Sequence, residues 1–262
     1  MEPAFSFDDG DAYERFMGAW TRAVGPVFLD WLAPPAGASW LDVGCGTGIF
    51  TGIVVDTCSP SAVIAIDPAA AQIRHAHGRP VAQRASFRVA DALALPFPAA
   101  SFHVVASALT LNFIADRPRA LSEMRRVSQA GGLVAGYVWD FAAELSPSWP
   151  LRLGMRRVGG EAAEVPGTAA SGIGALTALF EGAGLERIAT RVIDVTVTFP
   201  DFDVFWQSQT PAYSPVTQTI DALSNADRAR LIEAVRAGLP AGPDGAIEYS
   251  ARANAIKARV PA

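Results

Sequence analysis

Short apolar runs alternate with helical segments through the first part of the chain. The runs that are typical of buried strands are Trp40–Val43, Ala62–Ile66, Phe87–Ala90 and Phe102–Ser107. Between these runs, apolar residues recur every three or four positions, as they do on one face of a helix. This alternation predicts an α/β domain built on a sheet that helices cover.

The second part of the chain continues the same pattern with longer interruptions. A helical segment at Arg117–Ser128 precedes a fifth strand run, Leu133–Phe141. Apolar residues alternate along Arg187–Phe199, which is typical of a strand with one buried face. Ala246–Val260 has the pattern of a final strand, and residues 201–236 before it are mostly helical in pattern.

The beginning of the chain predicts helix over residues 11–32, where apolar side chains recur at helical spacing. A glycine followed by a proline, Gly25-Pro26, predicts a break within this segment. On this pattern alone, the segment is a helix or a pair of helices that packs on the sheet.

A glycine-rich turn follows the first strand and carries the most specific signal in the chain. The stretch WLDVGCGTGIFT places Asp42 two residues before Gly44, and glycines follow at positions 46 and 48. Such a turn between strand and helix lets a ligand approach bare main chain at the edge of a sheet. Ile49 stands where a dinucleotide-binding fingerprint needs glycine, and the Gly-Lys-Ser/Thr of a phosphate-binding loop is missing.

The D-x-G-x-G-x-G spacing resembles motif I of the class I S-adenosylmethionine-dependent methyltransferases. The resemblance extends from about Trp40 to Asp140 and includes the segment RALSEMRRVSQAGG. It implies a Rossmann-like, seven-stranded and mostly parallel sheet, with helices on both faces, an antiparallel last strand and helical lid insertions. Within this family the chain resembles the small-molecule enzymes of the ubiquinone and menaquinone group, although Asn112-Phe113 departs from the histidine that those enzymes often have.

The resemblance also implies which residues bind the cofactor, S-adenosyl-L-methionine, and its product, S-adenosyl-L-homocysteine. Asp67 ends the second strand roughly twenty residues after the glycine turn, where an acid binds ribose hydroxyls, although Asp67-Pro68 also suits a helix start. Asp91 and Ala92 are assigned to the adenine. The full implied set is Asp42, Gly44, Cys45, Gly46, Gly48, Asp67, Pro68, Asp91, Ala92, Ser107, Leu109, Tyr13, Phe16 and Trp20.

Two interpretations of the aromatic residues near the N-terminus stay open. Tyr13, Phe16 and Trp20 either pack on the sheet or face the cofactor, because YERFMGAW resembles a segment that folds over it and aromatic faces attract a sulfonium cation.

The expected organisation is a single domain over residues 1–262. It consists of an N-terminal helical cover at 1–38, a cofactor-binding core at 39–141 and two lid insertions at 142–171 and 200–244. Long insertions at the rim of a site are usually functional, so we expect both lids to shape the substrate site.

Composition narrows the range of partners. A formal net charge of −5 gives no basic surface for nucleic acid, and no apolar run reaches membrane-spanning length. Cys45 and Cys58 have no metal-ligand or disulfide spacing, and no metal is expected. The N-terminal residues lack the apolar core of a signal peptide, so the expected location is cytoplasmic.

The sequence does not single out a catalytic base. Asp140, Tyr13 and Tyr213 are the polar candidates, and the expected acceptor is a small, partly apolar molecule with an oxygen, nitrogen or carbon nucleophile. The alternative is a protein that binds the cofactor or its product without turnover, as a regulatory or partner module. A nicotinamide dehydrogenase is disfavoured by Ile49, an aminopropyltransferase remains compatible with the fold, and a homodimer stays open.

Overall fold

The computed structural model describes residues 10–161, 164–212, 214–240, 242 and 244–262. Its strands are β1 (Ser39–Val43), β2 (Ala62–Asp67), β3 (Ser86–Val89), β4 (Phe102–Ala108), β5 (Ser128–Trp139), β6 (Glu186–Phe199) and β7 (Ile247–Arg259). They form a 7-stranded sheet in the order β3-β2-β1-β4-β5-β7-β6. β1 to β5 pair in parallel, and β7 is antiparallel to both of its neighbours. The predicted fold class is confirmed.

The helices cover both faces of this sheet. They are α1 (Gly10–Leu32), α2 (Ile49–Thr57), α3 (Ala70–His77), α4 (Arg117–Val127), α5 (Trp149–Arg157), α6 (Ile173–Gly182), α7 (Phe202–Gln209), α8 (Pro215–Asp221) and α9 (Asn225–Arg236).

Alternation along the central strands produces two hydrophobic cores, one on each side of the sheet. Trp40 and Val104 face a core that contains residues of α1 and α2, whereas their neighbours Leu41 and Val105 face a core under α4 and α6. Successive strand residues point to opposite faces, so a run that is apolar at every position is buried on both sides. The helices α5, α7 and α9 extend the first core.

The predicted break at Gly25-Pro26 is wrong, because α1 runs unbroken from Gly10 to Leu32 with Pro26 inside it. Proline removes one backbone donor and disfavours helix, but the residues around it are held by packing. Val24 and Phe28 are fully buried, and Gly25 lies so close to α2 that an added Cβ atom would be 2.7 Å from Ile53 Cδ1. Burial against the sheet and α2 therefore keeps the helix continuous.

The fifth strand begins earlier than the apolar pattern indicates. Ser128 already pairs with Phe102, and the next pair in the ladder, Val104 with Leu133, is shifted by a bulge. Gly131 in this bulge has φ of 70°, a conformation that glycine adopts easily. The strand therefore continues through a polar, glycine-containing stretch that apolar periodicity does not detect.

Candidate functional site

A cavity of about 400 Å³ lies at the carboxyl ends of the parallel strands. Gly44 after β1, Asp67 at the end of β2, Asp91 after β3 and Leu109 after β4 all line it. The volume falls within the range of small-molecule pockets, roughly 300–1,000 Å³. Open α/β sheets bind ligands at this edge, and the sequence places most of its predicted cofactor residues there.

The glycine turn is fixed to its neighbours by backbone geometry. The N–H groups of Gly44 and Cys45 both donate to the carbonyl oxygen of Ile66, at 2.8 and 2.9 Å. Thr110 Oγ1 donates to the Gly44 carbonyl at 2.9 Å. Gly44 has φ of 78°, and a Cβ atom there would lie 2.2 Å from Thr110 Cγ2. Only glycine satisfies both the backbone conformation and the space at this position.

Asp67 ties the glycine turn to the second strand and faces the cavity. Its Oδ2 accepts from the Gly46 N–H at 3.0 Å, and its Oδ1 accepts from the Ala69 N–H at 2.9 Å. Burial raises the pKa of this carboxyl, while the two backbone hydrogen bonds oppose the rise. Each carboxylate oxygen can accept a further hydrogen bond. The bond to Ala69 precedes α3, so Asp67 supports the helix start and still presents acceptors to a ligand.

Asp42 lies behind the glycine turn rather than in the lining of the cavity. Its side chain is buried, and its Oδ2 accepts from Thr51 Oγ1 at 2.6 Å. Its Oδ1 has no hydrogen-bond partner. Burial raises the pKa of Asp42 to about 7, and the charge of Asp67 adds to the rise against the opposing bond from Thr51. A buried carboxylate without a full set of hydrogen bonds favours positive charge nearby.

Thr51, the hydrogen-bond partner of Asp42, was not among the predicted site residues. The signal was its position: a hydroxyl side chain in the first turn of a helix that is otherwise apolar on its buried side. Its spacing of nine residues from Asp42 becomes a contact only because the glycine turn reverses the chain.

Two of the three predicted aromatic residues of α1 reach the cavity. Tyr13 and Phe16 line it, together with Met17. Trp20 lies outside the lining: its ring is fully buried and makes edge contacts with Trp139 and Tyr249, with centroids 5.9 and 4.9 Å apart. Trp20 therefore packs in the core and does not face the cavity. From Met17 onward, the buried side of α1 packs against the sheet.

Ion pairs hold the N-terminal part of α1 against the region of α3. Glu14 pairs with Arg79, and His75 Nε2 lies 3.2 Å from Glu14 Oε1. These contacts lie one turn or less from Tyr13 and Phe16, and they keep that turn over the cavity.

The two residues predicted for the adenine both line the cavity. Asp91 is exposed and its Oδ1 accepts from the Leu93 N–H at 2.9 Å, while Ala92 is buried. Pro68 and Leu109 also line the cavity as expected. Leu109 has φ of 59°, which is unusual for a residue with a side chain, and strained conformations of this kind cluster at ligand sites.

Besides Asp42 and Trp20, three more predicted cofactor residues lie outside the lining of the main cavity. Cys45 borders a separate small cavity of about 20 Å³. Gly48 packs under Phe87, where an added Cβ atom would lie 2.9 Å from the ring. Ser107 is fully buried within β4. For Gly48 and Ser107 the structure thus shows packing roles, because the helix start and the strand interior hide them from the cavity.

The catalytic candidates are placed differently from one another. Asp140 lies outside the cavity lining and accepts from the Ala143 N–H at 3.0 Å, so it caps the turn after β5. Tyr13 lines the cavity, but burial and the charges of Asp67 and Asp42 raise the pKa of its phenol, which therefore stays protonated. Tyr213 lies outside the described residues.

The other half of the cavity is formed by the two long segments after β5 and β6. The first segment contributes Pro147, Ser148, Leu151, Arg152 and Val165, and the second contributes Gln209, Ser214 and Val216. Trp139 and Phe141 at the end of β5 join them. These segments contain the predicted lids over the substrate site, but Arg152, Gln209 and Trp139 were not among the predicted site residues.

Within the described part of the chain, no three His, Cys, Asp or Glu side chains are placed to hold a metal ion. None of the helices described has the length and apolar character needed to cross a bilayer.

The comparison with known sequences finds a domain of known type. A family model described as "Methyltransferase domain" matches residues 41–136. Demethylmenaquinone methyltransferase of Roseiflexus castenholzii is 36% identical over 103 residues, which are 39% of this chain and 43% of that protein. The 27-O-demethylrifamycin SV methyltransferase of Amycolatopsis mediterranei is 35% identical over 117 residues, 43% of this chain and 42% of that one. The chain spans about half the length of the curated relatives it matches.

A solved structure supports the fold over nearly the whole chain. Phosphoethanolamine N-methyltransferase 2 of Haemonchus contortus, in complex with S-adenosyl-L-methionine, has a TM-score of 0.59 and 16% sequence identity, covering 98% of this chain and 58% of that chain. This likeness shows the fold alone. The alternative of a non-catalytic binding module gains no support from the comparisons. The sequence match identifies residues 41–136 as a methyltransferase domain.

Proposed function

We propose that the chain binds S-adenosylmethionine in the cavity and methylates a small, partly apolar molecule held under the two long segments. The observation that carries this proposal is the continuity of one cavity, from Gly44, Gly46 and Asp67 to Leu151 and Val216. One end has the glycine turn and the strand-end acids, and the other end has mostly apolar walls.

The residues at the strand ends fit the cofactor. Asp67 would accept from the ribose hydroxyls, Asp91 from the adenine amine, and the unpartnered Oδ1 of Asp42 would favour the amino group. Gly46 has open space on its cavity side, since an added Cβ atom would meet no atom closer than Tyr13 Cε1 at 3.8 Å. S-adenosylmethionine, when bound, supplies a methyl group on a positively charged sulfur.

The acceptor side would orient the second molecule and exclude water. We propose that three segments act together as a lid over the cavity: α1, residues 142–171 and residues 200–244. All three contribute residues to the lining. Among the described lining residues, Asp67 and Asp91 are assigned to the cofactor and Tyr13 stays protonated. The proposal therefore favours an acceptor that ionises by itself or carries a free lone pair, and needs no protein base. A cytoplasmic location, the absence of metal and nucleic acid, and the oligomeric state stay predictions.

A thermal melt tests the cofactor. S-adenosylhomocysteine at about 100 times its dissociation constant is expected to stabilise the protein by roughly 2.7 kcal/mol, which raises the melting temperature by about 5–10 °C for a chain of this size. NAD at the same concentration is expected to leave it unchanged. A shift with NAD, or none with saturating S-adenosylhomocysteine, would overturn the assignment, and binding without any transfer of labelled methyl would favour the non-catalytic alternative.

Binding of S-adenosylhomocysteine is expected to weaken as the pH falls below 7. Burial raises the pKa of Asp42 to about 7. A cationic amino group bound at the glycine turn in front of it would lower that pKa, so binding releases a proton and is favoured at higher pH. The dissociation constant is expected to rise about tenfold from pH 8 to pH 6, by the linkage of one proton.

Titration calorimetry at pH 6, 7 and 8 measures this dependence, with Asp42→Asn as the variant that keeps the shape of the side chain. The variant should bind more weakly at pH 8 and show a much flatter pH profile. The same slope in both proteins would show that Asp42 is not the group that titrates.

A further inference from the structure

The loop that follows β3 reaches the cavity at its beginning and contacts α4 further along. We name residues 91–97 the adenine loop, after the proposed role of Asp91 and Ala92. These residues form turns rather than helix or strand, and Asp91, Ala92 and Leu93 line the cavity. Such a loop needs partners outside regular secondary structure for its backbone groups, because buried N–H and C=O groups in folded proteins are normally paired.

Glu123 on α4 binds the middle of the adenine loop. Its side chain is 8% exposed, and its Oε2 accepts from the Leu95 N–H at 2.9 Å. Arg126 donates to both carboxylate oxygens of Glu123, from Nε at 2.8 Å and from Nη2 at 2.7 Å. These hydrogen bonds from Arg126 lower the pKa of the Glu123 carboxyl, so the carboxylate is charged at neutral pH. A charged acceptor makes the stronger hydrogen bond to a backbone N–H.

Arg126 binds the same loop through its carbonyl groups. Its Nη1 donates to the Phe97 carbonyl at 2.8 Å, and its Nη2 donates to the Leu95 carbonyl at 2.9 Å. A guanidinium presents its donors in a rigid planar fork. The two loop carbonyls are therefore held in a defined position relative to the Glu123 carboxylate.

The helix that carries these two side chains is itself fixed in the protein. Leu121 and Met124 on α4 are fully buried in the core on that side of the sheet. Two turns before Arg126, Arg119 Nε donates to the Leu93 carbonyl at 3.0 Å, so the attachment extends to a residue that lines the cavity. The carboxylate and the guanidinium that bind the loop lie outside the lining, so any effect they have on a ligand passes through the loop.

We propose that Glu123 and Arg126 are positioning residues for the adenine of S-adenosylmethionine. They hold the adenine loop so that the Asp91 carboxylate accepts from the exocyclic amine, and they thereby set the preference for adenine over a base without that amine. The inference rests on the proposed function, since it concerns the cofactor of the same cavity. It assigns part of the cofactor selection to a helix that does not line the cavity.

The test compares S-adenosylhomocysteine with S-inosylhomocysteine, each titrated by calorimetry into the full protein. S-inosylhomocysteine carries a carbonyl oxygen where adenine carries its amine, so two acceptors would face each other at Asp91. The unaltered protein is expected to bind S-adenosylhomocysteine about tenfold or more tightly than S-inosylhomocysteine, because a hydrogen bond to a charged group is lost.

Arg126→Gln is expected to weaken S-adenosylhomocysteine about tenfold and S-inosylhomocysteine less than about twofold, since the second ligand already lacks the bond to Asp91. The preference for adenine should therefore nearly disappear. Arg126→Lys keeps the charge but not the planar fork, so it should restore part of the preference. A purely structural role would lower the melting temperature and weaken both ligands alike, leaving the preference unchanged.

The matched control is Arg125→Gln, at the neighbouring position of the same helix. Arg125 is exposed, as Arg126 is, but it donates to the Ala183 carbonyl at 3.0 Å rather than to the adenine loop. This variant should bind both ligands as the unaltered protein does.

An unchanged preference in Arg126→Gln, or the same change in Arg125→Gln, would overturn the inference. Equal affinity of the unaltered protein for the two ligands would overturn it too, together with the assignment of Asp91 to the adenine amine. All of these results would leave the proposed function standing, provided that the unaltered protein binds S-adenosylhomocysteine. Failure of that binding would instead overturn the proposed function and the inference that rests on it.

Discussion

Gly44→Ala is expected to lower the free energy of unfolding by about 2–5 kcal/mol. One part of this cost is the left-handed conformation, φ of 78°, which disfavours a residue with a side chain by roughly 1–2 kcal/mol. The other part is steric: the new Cβ atom would lie 2.2 Å from Thr110 Cγ2 and 2.5 Å from Thr110 Oγ1, and overpacking of this kind costs typically 1–3 kcal/mol. Denaturation by urea, monitored by tryptophan fluorescence, measures the change.

Gly37→Ala separates the two contributions. Gly37 has φ of 72°, close to that of Gly44, but no atom lies within 4 Å of the position that its Cβ would occupy. The variant should therefore show only the conformational cost, about 1–2 kcal/mol. Equal destabilisation by the two substitutions would show that Thr110 moves away freely and that the glycine turn is less tightly held than its hydrogen bonds indicate.

Asp67→Ala is expected to weaken S-adenosylhomocysteine binding at least a hundredfold while the protein stays folded. A carboxylate that accepts from two ribose hydroxyls contributes roughly 1.5–3 kcal/mol for each hydrogen bond, and the substitution also frees the Gly46 N–H that Asp67 holds at 3.0 Å. The fold should persist because Asp67 lies at the end of β2, beside the cavity, rather than within either hydrophobic core. Calorimetric titration of the variant, with circular dichroism to verify folding, measures both effects.

Asp56→Ala is the matched control for Asp67→Ala. Asp56 lies on α2, is exposed, and forms an ion pair with Arg84 at 2.6 Å. Surface ion pairs contribute little, so this variant should bind S-adenosylhomocysteine with unaltered affinity. If Asp67→Ala also bound with unchanged affinity, the ribose assignment would be wrong. Asp67 would then have only a structural role, through its hydrogen bonds to the glycine turn and to the turn before α3.

The strand pattern was predictable because the central strands are buried on both faces, and their apolar runs stand out from the surrounding helices. The two wrong predictions about secondary structure, the break within α1 and the start of β5, have the same cause. The continuity of α1 through Pro26 depends on packing against Ile53, and the early start of β5 at Ser128 depends on pairing with Phe102. Both contacts join residues that are far apart in the sequence, and local preference alone opposes them.

The convergence of the glycine turn and the strand-end acids on one cavity was predictable for a different reason. Parallel strands bring their carboxyl ends to one edge, so Gly44, Asp67 and Asp91 converge wherever those strands form. Periodicity predicts which face of a helix a residue lies on, but not which neighbouring element that part of the helix contacts. Tyr13 lines the cavity, whereas Trp20 is buried in the core. The same limit applies to Asp140, which follows a strand end yet turns back to bind the Ala143 N–H.

The sequence by itself determined the α/β class, the glycine turn, and the acids at the ends of the second and third strands. Each of these features is encoded by residues that are neighbours in the sequence. Only the tertiary structure decided which side chains of the two long segments line the cavity. Arg152, Arg156 and Arg157 look equivalent along α5, but the helix turns only Arg152 into the cavity lining. Gln209, from a segment more than fifty residues later, lines the same cavity. Such selection arises from packing between distant segments, and that packing depends on the whole folded chain.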